Sequence, residues 1–196
     1  SMGGMHDMGG MGMEGMDHGS MGSMGGMEAM RSPLLGGAGD ITYPHYLLNG
    51  RTAADPATLS AKPGQRVRIR FVNAGSDTAF RVAVGGHRMT VSHCDGFPVM
   101  PVSTDALLIG MGERVDVTVD LADGVFPLVA APLGKHGQAR ALIRTGTGRT
   151  PGAQTTPTEL QGPVLMGTDL LPAEAATLSS KDPDDQQMLH LTGQNE

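Results

Sequence analysis

Between positions 41 and 145 the chain alternates apolar and polar residues in short runs, and this period of two limits what it can fold into more than any other feature. In QRVRIRFVN the apolar Val67, Ile69 and Phe71 are interleaved with Arg66, Arg68 and Arg70. In ERVDVTVDL the residues Val115, Val117 and Val119 are interleaved with Arg114, Asp116, Thr118 and Asp120. Successive side chains of a strand point to opposite faces, so each run reads as a half-buried strand with one face in water. AFRVAVGG, HRMTVSHC, ALLIG, VFPLVAAPL and ARALIRT add five more strands, separated by Gly, Pro, Asn and Asp. No segment of this region has a sustained helical period. About seven strands in this length predict an all-β, two-sheet Greek-key sandwich.

The first 40 positions obey no such rule. They hold 10 of the 15 methionines, and Met2, Met5, Met8, Met11 and Met21, Met24, Met27, Met30 form two runs at a spacing of three. That spacing matches neither a helix nor a strand. Aromatic-free, glycine-rich sequence buries too little apolar surface to offset its ordering entropy, so residues 1–40 are expected to be a disordered Met/Gly-rich arm. Thioether sulfur is a soft ligand that selects Cu(I), and imidazole adds nitrogen donors. The candidate Cu(I) ligands are therefore Met5, Met8, Met11, Met13, Met16, Met21, Met24 and Met27, with His6 and His18. A passive flexible linker is the alternative.

Several classes are excluded. The formal charge of −6 with only 14 Lys and Arg offers little attraction to phosphate backbones, so nucleic acid is not expected as a partner. No apolar stretch approaches the roughly 20 residues of a membrane-spanning helix, and no secretory signal is present in the chain. The single cysteine, Cys94, can form no internal disulfide and no cysteine-based zinc site. Ser1-Met2 reads as a cleavage scar before a start codon, and QMLHLTG at 187–193 reads as the beginning of a strand without a partner. Both are expected of a piece excised from a longer protein.

YLLNGR (46–51), KPGQRVRIRFVNAGSDTAFRVAVGGHRMTVSHCDGFPV (62–99) and DALLIGMGERVDVTVDL (105–121) resemble the middle domain of three-domain multicopper oxidases, the group of laccases, cuprous oxidases and copper-tolerance oxidases. Four motifs carry the resemblance in the family's order: NGR, the PG-x-R-x-R-x-R-x-x-NAG strand, the H-x-M-T-V…DG hairpin and the GER-x-D-V strand. The resemblance implies a cupredoxin-like β-sandwich over 41–146. It implies an interdomain linker over 1–40 and a linker over 147–196 leading to the first strand of a third domain. It further implies a bacterial oxidase that reduces O2 to water while oxidising Cu(I) or a phenol, placed outside the cell or in the periplasm. The first and third cupredoxin domains of the same chain would be its partners, and copper ions a further ligand.

Within this frame the chain's own chemistry is sparse. A blue-copper site needs two His, a Cys thiolate and usually a weak Met, delivered close together. After Cys94 the next histidine is His136, too distant for such a loop, and His93 should face away from Cys94 on a strand. His87, Cys94 and Met100 form an incomplete set. The family's copper cluster is built from His-x-His pairs of the first and third domains, and this chain has no such pair. The expectation is a structural domain with no catalytic residue and no copper held tightly in its core, belonging to an enzyme without being one. The alternative is a copper-binding or delivery module that works through the methionine arm. His45, His136 and the Asp95-Gly96 turn read as surface or structural features.

Overall fold

The computed structural model describes residues 41–179 and 181–190. Among them are ten strands: β1 (Ala57–Ser60), β2 (Arg66–Val72), β3 (Phe80–Val84), β4 (Met89–Cys94), β5 (Phe97–Thr104), β6 (Ala106–Ile109), β7 (Arg114–Asp120), β8 (Val125–Pro132), β9 (Ala139–Arg144) and β10 (Val164–Leu165). They form a six-stranded sheet in the order β1-β9-β8-β3-β6-β10 and a four-stranded sheet in the order β2-β7-β4-β5. Only β4–β5 and β8–β9 are sequential hairpins; the other connections through β9 carry the chain from one sheet to the other. The result is the Greek-key sandwich expected from the alternating runs.

The alternation in β2 and β7 folds as expected, with the two strands antiparallel and Val67 opposite Val119, Ile69 opposite Val117 and Phe71 opposite Val115. Val115, Val117 and Val119 are buried, and they pack with Met89 and Val91 against Val82, Val84, Leu107, Leu128 and Ile143 of the facing sheet. On the outer face the arginines of β2 are paired as well as solvated. Arg66 forms a two-pronged contact with Asp120 at 2.6 and 2.8 Å, and Arg68 and Arg70 share Asp116. The Arg66 guanidinium holds the Asp120 carboxyl below the usual carboxylate range. Such exposed pairs fix cross-strand register more than they add stability.

The motifs quoted above have plain structural work. Asn49 and Gly50, both at positive φ, make a two-residue turn closed by backbone bonds between Leu48 and Arg51, as the NGR motif requires. Asp95 and Gly96 turn β4 into β5 in the same way. The NAG and GER motifs meet. Buried Asn73 donates to the carbonyls of Thr78 and Ile109, its Oδ1 accepts from the Gly75 amide, and its backbone bonds Gly112 and Glu113.

Three strands were not legible in the alternation: β1, β5 and β10. All three are edge strands. β5 carries Pro98 and Pro101, which an edge tolerates because it needs fewer ladder donors. β5 continues through Asp105 into β6, so the chain changes sheet there and closes that side of the sandwich.

Residues after Arg144, expected as a linker, run over the surface of the sandwich and pack against it. Leu160, in a short 3-10 turn (Thr158–Gln161), is buried on Ala83, Ala106 and Val129 of the outer face of the six-stranded sheet. β10 then pairs parallel with β6, and residues 171–173 run along β5 through Met100 N to Leu171 O and Ala173 N to Pro98 O. This strap ties both sheets together. Residues 187–190, where a strand is expected to begin, are exposed and lie outside any strand. A lone extended run has no ladder to stabilise it.

Burial sets the expected cost of truncation. Met89→Ala removes a fully buried side chain and should destabilise the fold by about 2–5 kcal/mol. Ile69→Ala, on the half-exposed inner face of β2, should cost clearly less. Urea unfolding that leaves the m-value unchanged while the midpoint moves further for Met89→Ala is the check.

Candidate functional site

His87 is the histidine held deepest in the sandwich, 6% exposed in the turn between β3 and β4. Its Nε2 accepts the backbone N–H of Ala122 at 3.0 Å. Because a backbone amide can only donate, Nε2 carries no proton and Nδ1 does, which makes Nδ1–H the donor to Gly85 O at 2.8 Å. The ring stands edge-on to Phe126, with centroids 4.4 Å apart. Both nitrogens are thus engaged in joining the β3–β4 turn to the loop after β7. A metal at Nε2 would have to displace the Ala122 amide.

His93 and Cys94 diverge. A bulge interrupts β4 between Val91 and His93, and beyond it His93 and Cys94 resume consecutive pairing with Pro98 and Phe97. His93 Nδ1 lies 3.1 Å from Arg68 Nη2 and 3.1 Å from Ser92 Oγ, on the face that carries Arg68 and Asp116. Cys94 instead packs against the inner core and is half-buried. The bulge therefore does not bring the two onto one face.

Cys94 is poorly suited to act as a thiolate. Burial, then the nearby charges of Asp95 and Glu113, push its thiol above the ordinary range, and Arg114 offsets them only in part. Thiolate is the nucleophile and the metal ligand, so this environment favours an inert thiol. The strap covers it: a Cβ added at Gly167 would lie 3.7 Å from Cys94 Sγ and 3.1 Å from Glu113 Oε1. That cover comes from a segment 73 positions along the chain (167 minus 94), so no local pattern announces it.

The remaining candidates are dispersed. Met100 is exposed on β5, and His45, His136 and His190 are exposed. Among the described residues no group of three or more His, Cys, Asp or Glu gathers around a point where a metal could sit. Met5, Met8, Met11, Met13, Met16, Met21, Met24, Met27, His6 and His18 lie outside the described residues.

One polar centre was missed in the sequence reading. Lys135, in the GKHGQ turn next to exposed His136, has a side chain only 4% exposed. Its ammonium bonds Asp77 Oδ2 at 2.7 Å, Ile41 O at 2.6 Å and Thr78 Oγ1 at 3.1 Å, and lies 5.9 Å from the Tyr43 ring. It anchors the start of the described chain to the loop before β3. Its partners are dozens of residues away, which local pattern does not reveal.

Comparison with known proteins follows the same lines. A family model described as multicopper oxidase matches residues 26–149. The chain is 52% identical over 157 residues to multicopper oxidase MmcO of Mycobacterium tuberculosis, covering 80% of this chain and 31% of that protein. It is 39% identical over 103 residues to a copper resistance protein A homolog of Pseudomonas syringae pv. tomato, covering 53% of this chain and 18% of that protein. The chain thus spans a third or less of the length of these curated relatives. The crystal structure of Fet3p, a multicopper oxidase that functions in iron import, matches with a TM-score of 0.53 at 22% identity, over 60% of this chain and 24% of that one. This last likeness is one of fold.

The hydrogen bonds of His87 make a direct expectation. His87→Leu should destabilise the fold by about 1–3 kcal/mol, because it leaves the buried Gly85 carbonyl without its donor and removes the partner of the part-buried Ala122 amide. His45→Ala, at an exposed position, should stay within about 0.5 kcal/mol of the parent in the same urea titration.

Proposed function

The chain belongs to the multicopper oxidase family, and from that premise we propose that residues 41–146 are the middle, non-catalytic domain of a three-domain oxidase. Family members depend on copper. In this reading the sandwich holds a first and a third cupredoxin domain in register so that they form the copper cluster between them. Residues 1–40 would join the first domain, and residues 147–196 would lead into the third. The complete oxidase would take one electron at a time from Cu(I) or a phenol and deliver four, with four protons, to O2, giving two molecules of water. It would work in the periplasm or outside the cell.

The observation that carries this reading is the engagement of His87. The one deeply buried imidazole of the described residues has both nitrogens bonded to backbone, so it serves the fold. Cys94, with its raised thiol, and His93, turned to the opposite face, do not complete a blue-copper set with it. The strap adds a further support. By running from the six-stranded sheet to β5 it fixes where the chain leaves the domain, which a spacer between two other domains must do.

The methionine spacing favours a second reading, in which the arm gathers Cu(I) through its thioethers and His6 and His18. Serine substitution at Met5, Met8, Met11, Met21, Met24 and Met27 separates the two. The scaffold reading expects no oxidase turnover from the chain supplied with copper and a phenolic donor, and anaerobic Cu(I) uptake unchanged by the substitutions. Turnover by the isolated chain would contradict it. Loss of several bound Cu(I) ions on substitution would assign the arm to copper acquisition.

A further inference from the structure

Only a neutral His87 ring fits the bonds it makes. Nε2 accepts the Ala122 N–H at 3.0 Å and must be free of a proton to do so, while Nδ1–H is the donor to Gly85 O at 2.8 Å. An imidazolium carries a proton on both nitrogens. In that form Nε2–H and the Ala122 N–H would be two donors facing one another, so the tie between the β3–β4 turn and the loop after β7 could not persist.

The loop is gripped from two sides. Opposite His87, Thr145 Oγ1 donates to Ala122 O at 2.6 Å and accepts the Gly124 N–H at 3.0 Å, and the Thr145 N–H bonds Gly124 O at 2.9 Å. A hydroxyl and backbone groups do not change charge near neutral pH, whereas an imidazole does, so acid acts on this clamp through His87. The segment it would free is small. Ala122 and Asp123 are exposed, while Leu121 before them is buried and held by backbone bonds to Gly64 and Gln65, and Val125 after them is paired with Arg144 in the sheet. Movement between these two limits leaves the core packed. We propose that His87 is an acid-operated clasp, in which proton uptake by the ring releases Ala122 and loosens the loop 122–124 while the two sheets stay together.

The charges that share the surface grooves lined by His87 come from every element around it: Arg66 of β2, Arg88 after the turn, Asp120 of β7, Asp105 between β5 and β6, and Glu159 of the 3-10 turn. Asp123 follows in the loop itself. Both guanidiniums are matched, Arg66 by Asp120 at 2.6 Å and Arg88 by Asp105 at 3.1 Å. Glu159 accepts the Gly86 N–H at 2.7 Å, which places a further carboxylate one residue from the ring along the chain. Because the ring takes its second proton only as the Ala122 bond is given up, loosening and proton uptake are linked, and acid raises the open population by up to about tenfold per pH unit. The clasp is independent of whether the domain serves as a spacer.

Amide hydrogen exchange and imidazole nitrogen shifts, read by NMR on the whole 196-residue chain between about pH 8 and pH 5, test this. The expected result is that protection of the Ala122 amide, corrected for intrinsic exchange, falls at least about tenfold in step with protonation of His87 Nε2, while the Val117 and Val119 amides of β7 keep theirs. His87→Gln offers an acceptor and a donor that do not titrate, and should hold the Ala122 protection constant over the same range. Ala122 protection that stays constant in the parent while the ring gains its proton would overturn the proposal, and so would a ring that stays neutral down to pH 5. Loss of protection at Val117 and Val119 together with Ala122 would overturn it as well, since the whole sandwich would then be opening.

Discussion

The desolvation of one ladder of small β-branched side chains underlies the rest of the structure. Val115, Val117 and Val119 on β7, flanked by Met89 and Val91 on β4, must leave water, and only the second sheet offers a surface to meet them. Once they do, the side-chain period of two sends Arg66, Arg68, Asp116 and Asp120 to the opposite face. The register that aligns the valines is the same one that places Arg66 opposite Asp120. Core and surface pairs are therefore two readings of one constraint.

That core alone does not define the domain. Three non-local ties complete it, each joining segments that local patterning would leave loose. Asn73 locks the loop after β2 to the turn before β7. His87 locks the β3–β4 turn to the loop after β7. Lys135 locks the start of the described chain to the loop before β3. All three use buried polar groups with their partners supplied, which makes them specific and costly to break. A histidine used this way serves the architecture, and the same logic explains a copper-family domain whose own imidazole is engaged in its fold.

What the sequence disclosed follows the same division. Strands inside the sheets, such as β3, β4 and β7, were legible because burial on one face imposes alternation. Among the edge strands β2 keeps its alternation, whereas β1, β5 and β10 do not: β5 carries prolines that an edge tolerates, most of β1 lies in water, and β10 is only two residues long. The turn motifs were readable because Asn49-Gly50 and Asp95-Gly96 have a local conformational reason. The engagement of His87 depends on Ala122, 35 positions away, and the cover over Cys94 depends on Gly167. Neither leaves a periodic trace. Spacing alone still placed His93 and Cys94 on different faces, and the bulge at Ser92 did not change that outcome.

The most direct test of the central claim, that this sandwich has no copper centre of its own, is the visible absorption of the intact chain after loading with Cu(II). The account predicts a spectrum without the intense blue thiolate-to-copper charge-transfer band, the same for the parent and for Cys94→Ser. A strong blue band that disappears in Cys94→Ser would contradict it, because it would mean that the Cys94 thiol ionises and that at least one imidazole abandons its backbone or surface partners to join it.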